Sequence, residues 1–330
     1  MTSVGADDAI ALPLAFSGQR LDWRDLPTRV RRAISTLAGS QVTAEITATE
    51  GFSPGFVAVL ELADGGDVFV KAVSAEINPS SVELARREIV VAAALPPEVP
   101  APRLLWSGEE DGWLLLGFES VHGRSPEMPW RPSDLASVLD AVDALADAEP
   151  LPGHGLPRTD DLLAEDLTGW RRLFHGPAAD RATLAGQGPV ALWALEHLDD
   201  LVRWEQDAPG VLAGDGLVHG DLRADNVMID EHHRVWLIDW PHASVGAPWL
   251  DLAFMLPSVE LQGGGDPASI FASRAVSDGV SRDDLRAGLA GLAGYLVWGS
   301  LQPAPAGVPN LRPFQAAQGE ATLRWLRDLS

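Results

Sequence analysis

Three polar side chains that are suited to bind a metal ion and to move a proton are concentrated between residues 217 and 240. Asp221 and Asn226 follow a short apolar segment, and Asp239 follows a second apolar segment at 235–238. The apolar segments have the composition of short strands on either side of a turn, so we expect the three side chains to meet at one end of these strands. Carboxylate and amide oxygens suit a hard cation such as Mg²⁺, which completes its coordination with substrate phosphates.

The spacing within this segment separates two roles. Asp221 stands five residues before Asn226, so the loop can turn back between them and leave Asp221 free to accept the proton of a substrate hydroxyl. Asn226 and Asp239 are then the expected metal ligands. Arg223 lies beside Asp221 and is the candidate to neutralise charge on a phosphoryl group in transfer. We expect His219 to brace the loop by hydrogen bonds rather than to act as a base.

The same residues carry a family resemblance. The chain reads His-Gly-Asp-Leu-Arg-Ala-Asp-Asn at 219–226, Ile-Asp-Trp at 238–240 and Gly-Ala-Pro-Trp-Leu-Asp-Leu-Ala at 246–253. This arrangement resembles the aminoglycoside phosphotransferase and choline kinase-like family, whose members are small-molecule kinases with a protein-kinase-like fold. The resemblance implies that ATP or GTP is the cosubstrate, that Mg²⁺ is the metal, and that Asp251 anchors the loop from below.

The resemblance also requires a lysine and a glutamate in the first part of the chain. A kinase of this kind needs a lysine on the third strand to hold the α- and β-phosphates, and a helix glutamate to hold the lysine. Lys71, the only lysine in the chain, lies on the third predicted strand. Glu88, in the middle of the predicted helix that follows, is the expected partner, and Glu83 is the alternative.

Further nucleotide contacts are implied by position. The turn at 50–55, between the first two strands, resembles the nucleotide loop of the family, where Ser53 and nearby backbone N–H groups approach phosphate oxygens. The segment at 116–121 resembles the hinge, where the carbonyl of Glu119 and the N–H of Val121 would pair with the adenine edge.

The elements that must position these residues follow from hydrophobic patterning. Strands are predicted at 42–49, 56–62, 68–73, 103–107 and 113–119. Helices are predicted at 79–95, 133–148 (capped by Ser133), 160–174, 189–207, 248–256, 282–301 and 314–329. We therefore predict an α+β, bilobal protein-kinase-like fold. Residues 1–121 would form a nucleotide-binding lobe with a five-stranded antiparallel sheet plus helix, and residues 122–330 a mostly helical lobe with the catalytic loop and acceptor pocket.

Composition limits the function classes. The chain has 330 residues, 46% of them apolar, which is enough for a large core. It has no cysteine, which excludes disulfides and thiolate chemistry. The formal net charge of -23 opposes nucleic-acid binding and would attract a cationic small molecule, although it also serves solubility. We see no signal peptide or membrane span and expect a cytoplasmic protein; the oligomeric state is open.

Together these patterns predict a phosphotransferase that moves the γ-phosphoryl of ATP or GTP to a hydroxyl of a small molecule. The expected acceptor is an aminoglycoside-like compound, another antibiotic or an amino sugar. The alternative is a catalytically inactive, nucleotide-binding regulatory module of the same fold. The intact set of polar residues argues against that alternative: Lys71, Glu88, Asp221, Asn226 and Asp239.

Overall fold

The computed structural model describes residues 21–47, 55–153, 155–305 and 308–330. Within them, an N-terminal antiparallel sheet of five strands is followed by a mainly helical C-terminal part, as the sequence predicts. The strands are β1 (Val42–Thr47), β2 (Phe56–Leu62), β3 (Asp67–Ser74), β4 (Leu104–Glu110), β5 (Trp113–Phe118), β6 (Gly123–Arg124), β7 (Gly216–Val218), β8 (Val227–Asp230), β9 (Val235–Leu237) and β10 (Ser244–Gly246). The helices are α1 (Thr28–Leu37), α2 (Pro79–Ala94), α3 (Pro132–Ala146), α4 (Thr159–Leu163), α5 (Gly169–His175), α6 (Ala178–Ala185), α7 (Pro189–Glu196), α8 (Leu198–Val211), α9 (Leu250–Leu261), α10 (Pro267–Ala272), α11 (Arg282–Ser300) and α12 (Leu311–Asp328).

The large sheet has the strand order β1-β2-β3-β5-β4, so β3 lies at its centre. Lys71 on β3 is paired with Val57 on β2 and with Leu116 on β5. Side chains alternate between the faces of a strand, and the packing on β3 follows this period. Val68, Val70 and Ala72 pack with α1, whereas Val73 packs with α2 on the other face. Lys71 therefore belongs to the face that α2 covers.

Helix α1 is an element that the sequence analysis missed. Its apolar residues Val30, Ala33, Ile34 and Leu37 have the i, i+3, i+4, i+7 spacing of an amphipathic helix. Val30 and Ile34 are fully buried against the sheet. The signal was present in the sequence, and the helix closes the sheet face opposite Lys71.

Two predicted helices are each divided in the structure. The single helix predicted at 160–174 is α4 and α5, separated by the turn at 164–168. Helix α5 begins where buried Glu205 of α8 accepts hydrogen bonds from the backbone N–H groups of Trp170 (2.8 Å) and Arg171 (3.0 Å), a favourable place for an anion. The helix predicted at 189–207 is α7 and α8, which meet at His197.

Two smaller differences also concern helices. Helix α3 begins at Pro132, after Arg131, and Ser133 is not its cap, because proline is well suited to the first helical position. Helices α6 and α10 were not predicted. Helix α11 is a core helix with twelve buried residues, as expected for its long apolar run.

In the described parts of the chain, no helix has both the length and the apolar character needed to cross a membrane.

Short strands position the loops that carry chemistry. Strand β7 pairs with β10, and β8 pairs with β6 and β9. The loop at 219–226 therefore leaves β7 and enters β8, while residues 238–243 connect β9 to β10. The turn between β8 and β9 contains His232 and His233, which are exposed as expected for a solvated turn. The lobe boundary predicted at residue 121 lies between β5 and β6, and its assignment as a domain boundary stays a prediction.

Candidate active site

Lys71 is held between two carboxylates that come from distant parts of the chain. Its Nζ donates to Oε1 and Oε2 of Glu88 at 2.8 and 2.9 Å and to Oδ1 of Asp239 at 2.7 Å. The side chains of Lys71 and Glu88 are only 15% and 6% exposed, whereas that of Asp239 is 36% exposed. Glu83 instead pairs with Arg87 on the surface of α2. The structure thus selects Glu88, the expected partner, and joins β3, α2 and the loop after β9.

Lys71 stabilises the charge of each carboxylate, and both carboxylates stabilise the charge of Lys71. Burial opposes the charge of Lys71, but the attraction of Asp239 and Glu88 outweighs it and raises the lysine pKa above its ordinary value. Burial also opposes ionisation of Asp239, but Lys71 outweighs it and lowers the aspartate pKa to about 2. Burial raises the pKa of Glu88, and the charge of Lys71 acts against that rise. Asp239 is therefore ionised at neutral pH, the form in which a carboxylate binds a metal ion.

Asp221 lies in a second group of polar side chains. Arg223 donates to Asp221 Oδ1 and also holds Asp225 through two bonds, from Nε at 3.0 Å and from its terminal nitrogen at 2.9 Å. The amide nitrogen of Asn226 donates to the carbonyl of Asp221 at 2.7 Å and to its Oδ2 at 3.2 Å. Asp225 is thus a local hydrogen-bonding partner of Arg223. Arg223 is already engaged with two carboxylates, which the sequence analysis did not foresee.

The electrostatics of Asp221 favour proton acceptance. Burial raises the pKa of its carboxyl group, and the charge of Arg223 acts against the rise. A carboxylate with a raised pKa is a stronger base than an exposed one, and the ideal catalytic base has a pKa near the working pH. The raised pKa is a shift in the direction that a proton-accepting carboxylate requires.

The buried residues His219 and Asp251 hold the loop at 219–226 in place by hydrogen bonds, as expected from the sequence. Asp251 accepts from the backbone N–H groups of His219 (2.7 Å) and Gly220 (2.9 Å). His219 Nε2 donates to the carbonyl of Ile238 at 3.0 Å, and its Nδ1 accepts from the N–H of Asp221 at 3.3 Å. Burial lowers the pKa of His219 to about 4. A neutral histidine thus links the Asp221 loop to the residue before Asp239.

Asp251 leads to a prediction about stability and pH. Burial raises its pKa from 3.8 to about 6, so the folded protein binds a proton here more tightly than the unfolded chain does. The contribution of this group to the free energy of unfolding is therefore complete below about pH 4 and is lost as the pH rises through about 6; a two-unit shift corresponds to about 3 kcal/mol. The difference in unfolding free energy between wild type and Asp251→Asn should fall by that order between pH 4 and 7, as measured by urea denaturation. A pH-independent difference would contradict this assignment.

Asn226 and Asp239 fit a metal ion that is shared with a substrate. Their backbones are adjacent, because the N–H of Ile238 donates to the carbonyl of Asn226 at 3.0 Å and Val227 is paired with Leu237. Among the described residues, no group of three or more His, Asp or Glu side chains is arranged to hold a metal. Mg²⁺ often takes only one or two protein oxygens and completes its octahedron with phosphates and water. The donor set suits Mg²⁺ under that condition.

The remaining predicted site residues are the proposed nucleotide contacts Glu119, Val121 and Ser53. Glu119 and Val121 lie in the segment after β5, where the N–H of Glu119 donates to the carbonyl of Arg103 at 2.8 Å. Ser53 lies outside the described residues. Sequence reasoning missed Phe314 on α12, whose ring centre is 5.4 Å from the Arg223 guanidinium carbon. No local pattern could reveal this contact, because it joins residues that are far apart in the chain.

Comparison with known proteins agrees with this geometry. A model of the phosphotransferase enzyme family matches residues 48–293. The chain belongs to this family. The homoserine kinase of Bradyrhizobium sp. (strain ORS 278) is 38% identical over 91 residues, which are 27% of this chain and 26% of that enzyme. The match thus spans about a quarter of the length of that relative.

Solved structures of other phosphotransferases share the fold. A thermostable mutant of aminoglycoside phosphotransferase APH(4)-Ia, in a ternary complex with ADP and hygromycin B, has a TM-score of 0.59 and 18% identity, and the match covers 89% of this chain and 98% of that one. Choline kinase LicA from Streptococcus pneumoniae has a TM-score of 0.53 and 15% identity over 88% of this chain and 97% of that one. Macrolide 2'-phosphotransferase MphH from Brachybacterium faecium has a TM-score of 0.51 and 19% identity over 87% and 95%. The α+β, kinase-like fold predicted from the sequence is confirmed.

Proposed function

We propose that this family member is a small-molecule kinase that transfers the γ-phosphoryl of ATP or GTP to a hydroxyl group. The observation that carries the proposal is the buried contact of Lys71 with Glu88 and Asp239. It brings the phosphate-binding lysine predicted for the N-terminal sheet to the acidic loop after β9. A nucleotide whose phosphates meet Lys71 would then lie beside Asp221 as well, because His219 ties the two loops together.

Each residue has a role in the transfer. Lys71 holds the α- and β-phosphates, and Glu88 holds Lys71 in place. The acceptor oxygen attacks the γ-phosphorus while its proton passes to the carboxylate of Asp221, and the bond from the γ-phosphorus to the bridging oxygen breaks with its electron pair leaving on ADP. Asn226 and Asp239 would hold Mg²⁺, which neutralises phosphate charge when it is bound.

Arg223 positions the carboxylate of Asp221. Its guanidinium is planar and holds Asp225 through two bonds while it reaches Asp221, a geometry that fixes the carboxylate. Neutralising charge on the phosphoryl group is its second proposed role. For the rest of the nucleotide we propose Ser53 at the phosphates, and the Glu119 carbonyl and Val121 N–H at the adenine edge.

The acceptor class rests on charge and on relatives. The net charge of -23 favours a cationic acceptor. The structural relatives are named for aminoglycosides, choline and macrolides, and the curated relative for homoserine. We propose an aminoglycoside-like compound, another antibiotic or an amino sugar as the acceptor, hence a role in antibiotic resistance for a cytoplasmic enzyme.

The test is release of nucleoside diphosphate by the purified protein with Mg-ATP and Mg-GTP across a panel of acceptors. The panel contains aminoglycosides, amino sugars, choline, homoserine, macrolides and cyclic peptide antibiotics. We expect one class to stimulate release, and Asp221→Asn to abolish the stimulation. Nucleotide binding without turnover on any acceptor would instead favour the regulatory module.

A pair of matched variants on α2 tests the role of Glu88. Glu88→Gln removes the charge that holds Lys71 and should lower kcat/KM for ATP about tenfold or more, since hydrogen bonds to charged groups contribute 1.5–3 kcal/mol. Glu83→Gln removes a carboxylate of the same helix that is 67% exposed and pairs with Arg87, so its effect should stay within about twofold. Steady-state kinetics with varied ATP separates the two, and equal effects would refute the assignment of Glu88.

A further inference from the structure

An apolar cavity lies in the C-terminal part between two pairs of helices, α6 with α7 and α11 with α12. Its volume is about 280 Å³. Buried aliphatic side chains form its base, among them Leu184 of α6, Val297 of α11 and Leu323 of α12. The side chains at its mouth, such as that of Gln187, are exposed. The cavity is therefore apolar inside and open to solvent at one end.

Small side chains keep this space open. Ala191 of α7 and Ala317 of α12 line the cavity, and both are buried. Helices α11 and α12 themselves are in close contact, since a Cβ atom on Gly319 would lie 3.1 Å from a methyl carbon of Val297. A cavity of about 150 Å³ with apolar walls stays dry and binds benzene. The present cavity is almost twice as large, which is enough for two fused rings with a short chain.

A carboxylate at the mouth determines which charge the ligand can carry. Glu320 lines the cavity, and its side chain is 39% exposed. It accepts a hydrogen bond from Arg324 at 3.0 Å, and Arg324 also pairs with Glu260 at 3.4 Å. One guanidinium group thus serves two carboxylates, which leaves an excess of negative charge at the mouth. Because a carboxylate has about four acceptor positions, Glu320 can bind an ammonium group and keep Arg324.

We propose that this cavity binds an amphiphilic monocation, with an apolar body of about two rings and one ammonium group on a short chain. The apolar body would lie against Leu184, Val297 and Leu323, and its transfer from water would drive binding. The ammonium group would pair with Glu320. The assignment goes beyond the proposed function and does not depend on it. Among the described residues that line the cavity, none has a proposed role in phosphoryl transfer.

The cavity adjoins the catalytic loop through the first turn of α12. Pro313 lines the cavity, and the ring centre of the next residue, Phe314, lies 5.4 Å from the Arg223 guanidinium carbon. Arg223 in turn donates to Asp221. An acceptor and a ligand that does not react would share the same amphiphilic chemistry here, and the experiment separates these two sources.

Calorimetry with tryptamine tests the site, because tryptamine joins two fused rings to a single ammonium group. Indole has the same rings without a charge, and indole-3-acetate carries the opposite charge. We expect tryptamine to bind about tenfold more tightly than indole, the scale of one charge-assisted contact. Indole-3-acetate should bind more weakly than indole, because Glu320 repels its carboxylate.

Two variants and two matched controls locate the ligand. Glu320→Gln should lower the affinity for tryptamine about tenfold and leave that for indole unchanged. Ala317→Leu fills part of the cavity and should weaken binding of both ligands about tenfold or more. Glu196→Gln at the end of α7 and Ala182→Leu on α6 change exposed residues outside the lining, so both should bind like wild type. Urea denaturation of each variant shows whether it is folded.

Tryptophanol, which adds a hydroxyl group to the same rings and ammonium group, separates the two sources. Release of ADP from Mg-ATP on its addition identifies the ligand as an acceptor, whereas binding without release identifies a ligand that does not react; both results require the site. Absence of tryptamine binding, or equal binding of tryptamine and indole-3-acetate, overturns it. Tryptamine affinity that is unchanged in Glu320→Gln or in folded Ala317→Leu also overturns it. Tryptamine binding is measured without turnover, so these failures leave the proposed kinase function untouched.

Discussion

Replacing Asp221 by asparagine should lower kcat by about two orders of magnitude or more, the scale on which a general base acts, while ADP affinity stays close to that of wild type. The substitution preserves size and removes the proton acceptor. Arg223 would keep its two bonds to Asp225, so the loop should remain folded. The measurement is steady-state turnover with a saturating acceptor, and ADP binding by calorimetry on the same samples.

Asp225→Asn is the matched control for that experiment. Asp225 shares Arg223 with Asp221, so the variant disturbs the same guanidinium without removing the proposed base. We expect a loss in kcat of less than about tenfold, the effect of one weakened charge-assisted contact. Turnover by Asp221→Asn near the wild-type value, or an equal loss in Asp225→Asn, would contradict the assignment of the base.

Replacing Lys71 by methionine should have the largest combined effect on activity and stability. Glu88 would remain as a buried carboxylate without its counter-charge, which costs about 3–5 kcal/mol in comparable cases. The phosphate contact would also be lost, so we expect kcat/KM for ATP to fall by about two orders of magnitude or more. Urea denaturation at pH 7 measures the first effect, and kinetics with varied ATP measures the second.

The double variant Lys71→Met/Glu88→Gln separates these two effects. Removing the orphaned charge should restore most of the lost stability, since a buried ion pair can be replaced by neutral groups at little cost. Activity should stay as low as in Lys71→Met, because the phosphate contact is still absent. A double variant that is as unstable as the single one, or one that regains turnover, would show that the triad does not act as described.

The strands were predictable because their signals are local. Alternating apolar residues and the Asp-Gly-Gly-Asp turn at 64–67 placed β2 and β3. The register of β2 with β3, and the face of the sheet on which Lys71 lies, come from the structure. Helix ends were less predictable, because the break between α4 and α5 depends on Glu205 and on the close approach of Gly169 to α11. Such contacts join segments that periodicity cannot relate.

The site residues that belong to the sequence motif were predictable. The spacing of Asp221, Asn226 and Asp239 pointed to one end of a strand pair, and the backbone bond between Ile238 and Asn226 confirms that their segments are adjacent. The bond from Lys71 to Asp239 spans 168 residues and was not predicted, because no local pattern relates residues so far apart.

Phosphorus NMR of one reaction mixture tests whether the protein moves a phosphoryl group from ATP to a hydroxyl of a small molecule. The mixture contains the purified protein, Mg-ATP and D-glucosamine, and a parallel sample contains Asp221→Asn. We predict that the γ-phosphate signal of ATP declines as ADP and one new phosphomonoester signal rise in equal amounts, in the wild-type sample alone. If only inorganic phosphate appears with glucosamine and with every other acceptor tried, the proposed kinase function is contradicted; if Asp221→Asn forms the ester as fast as wild type, the proposed role of Asp221 is contradicted.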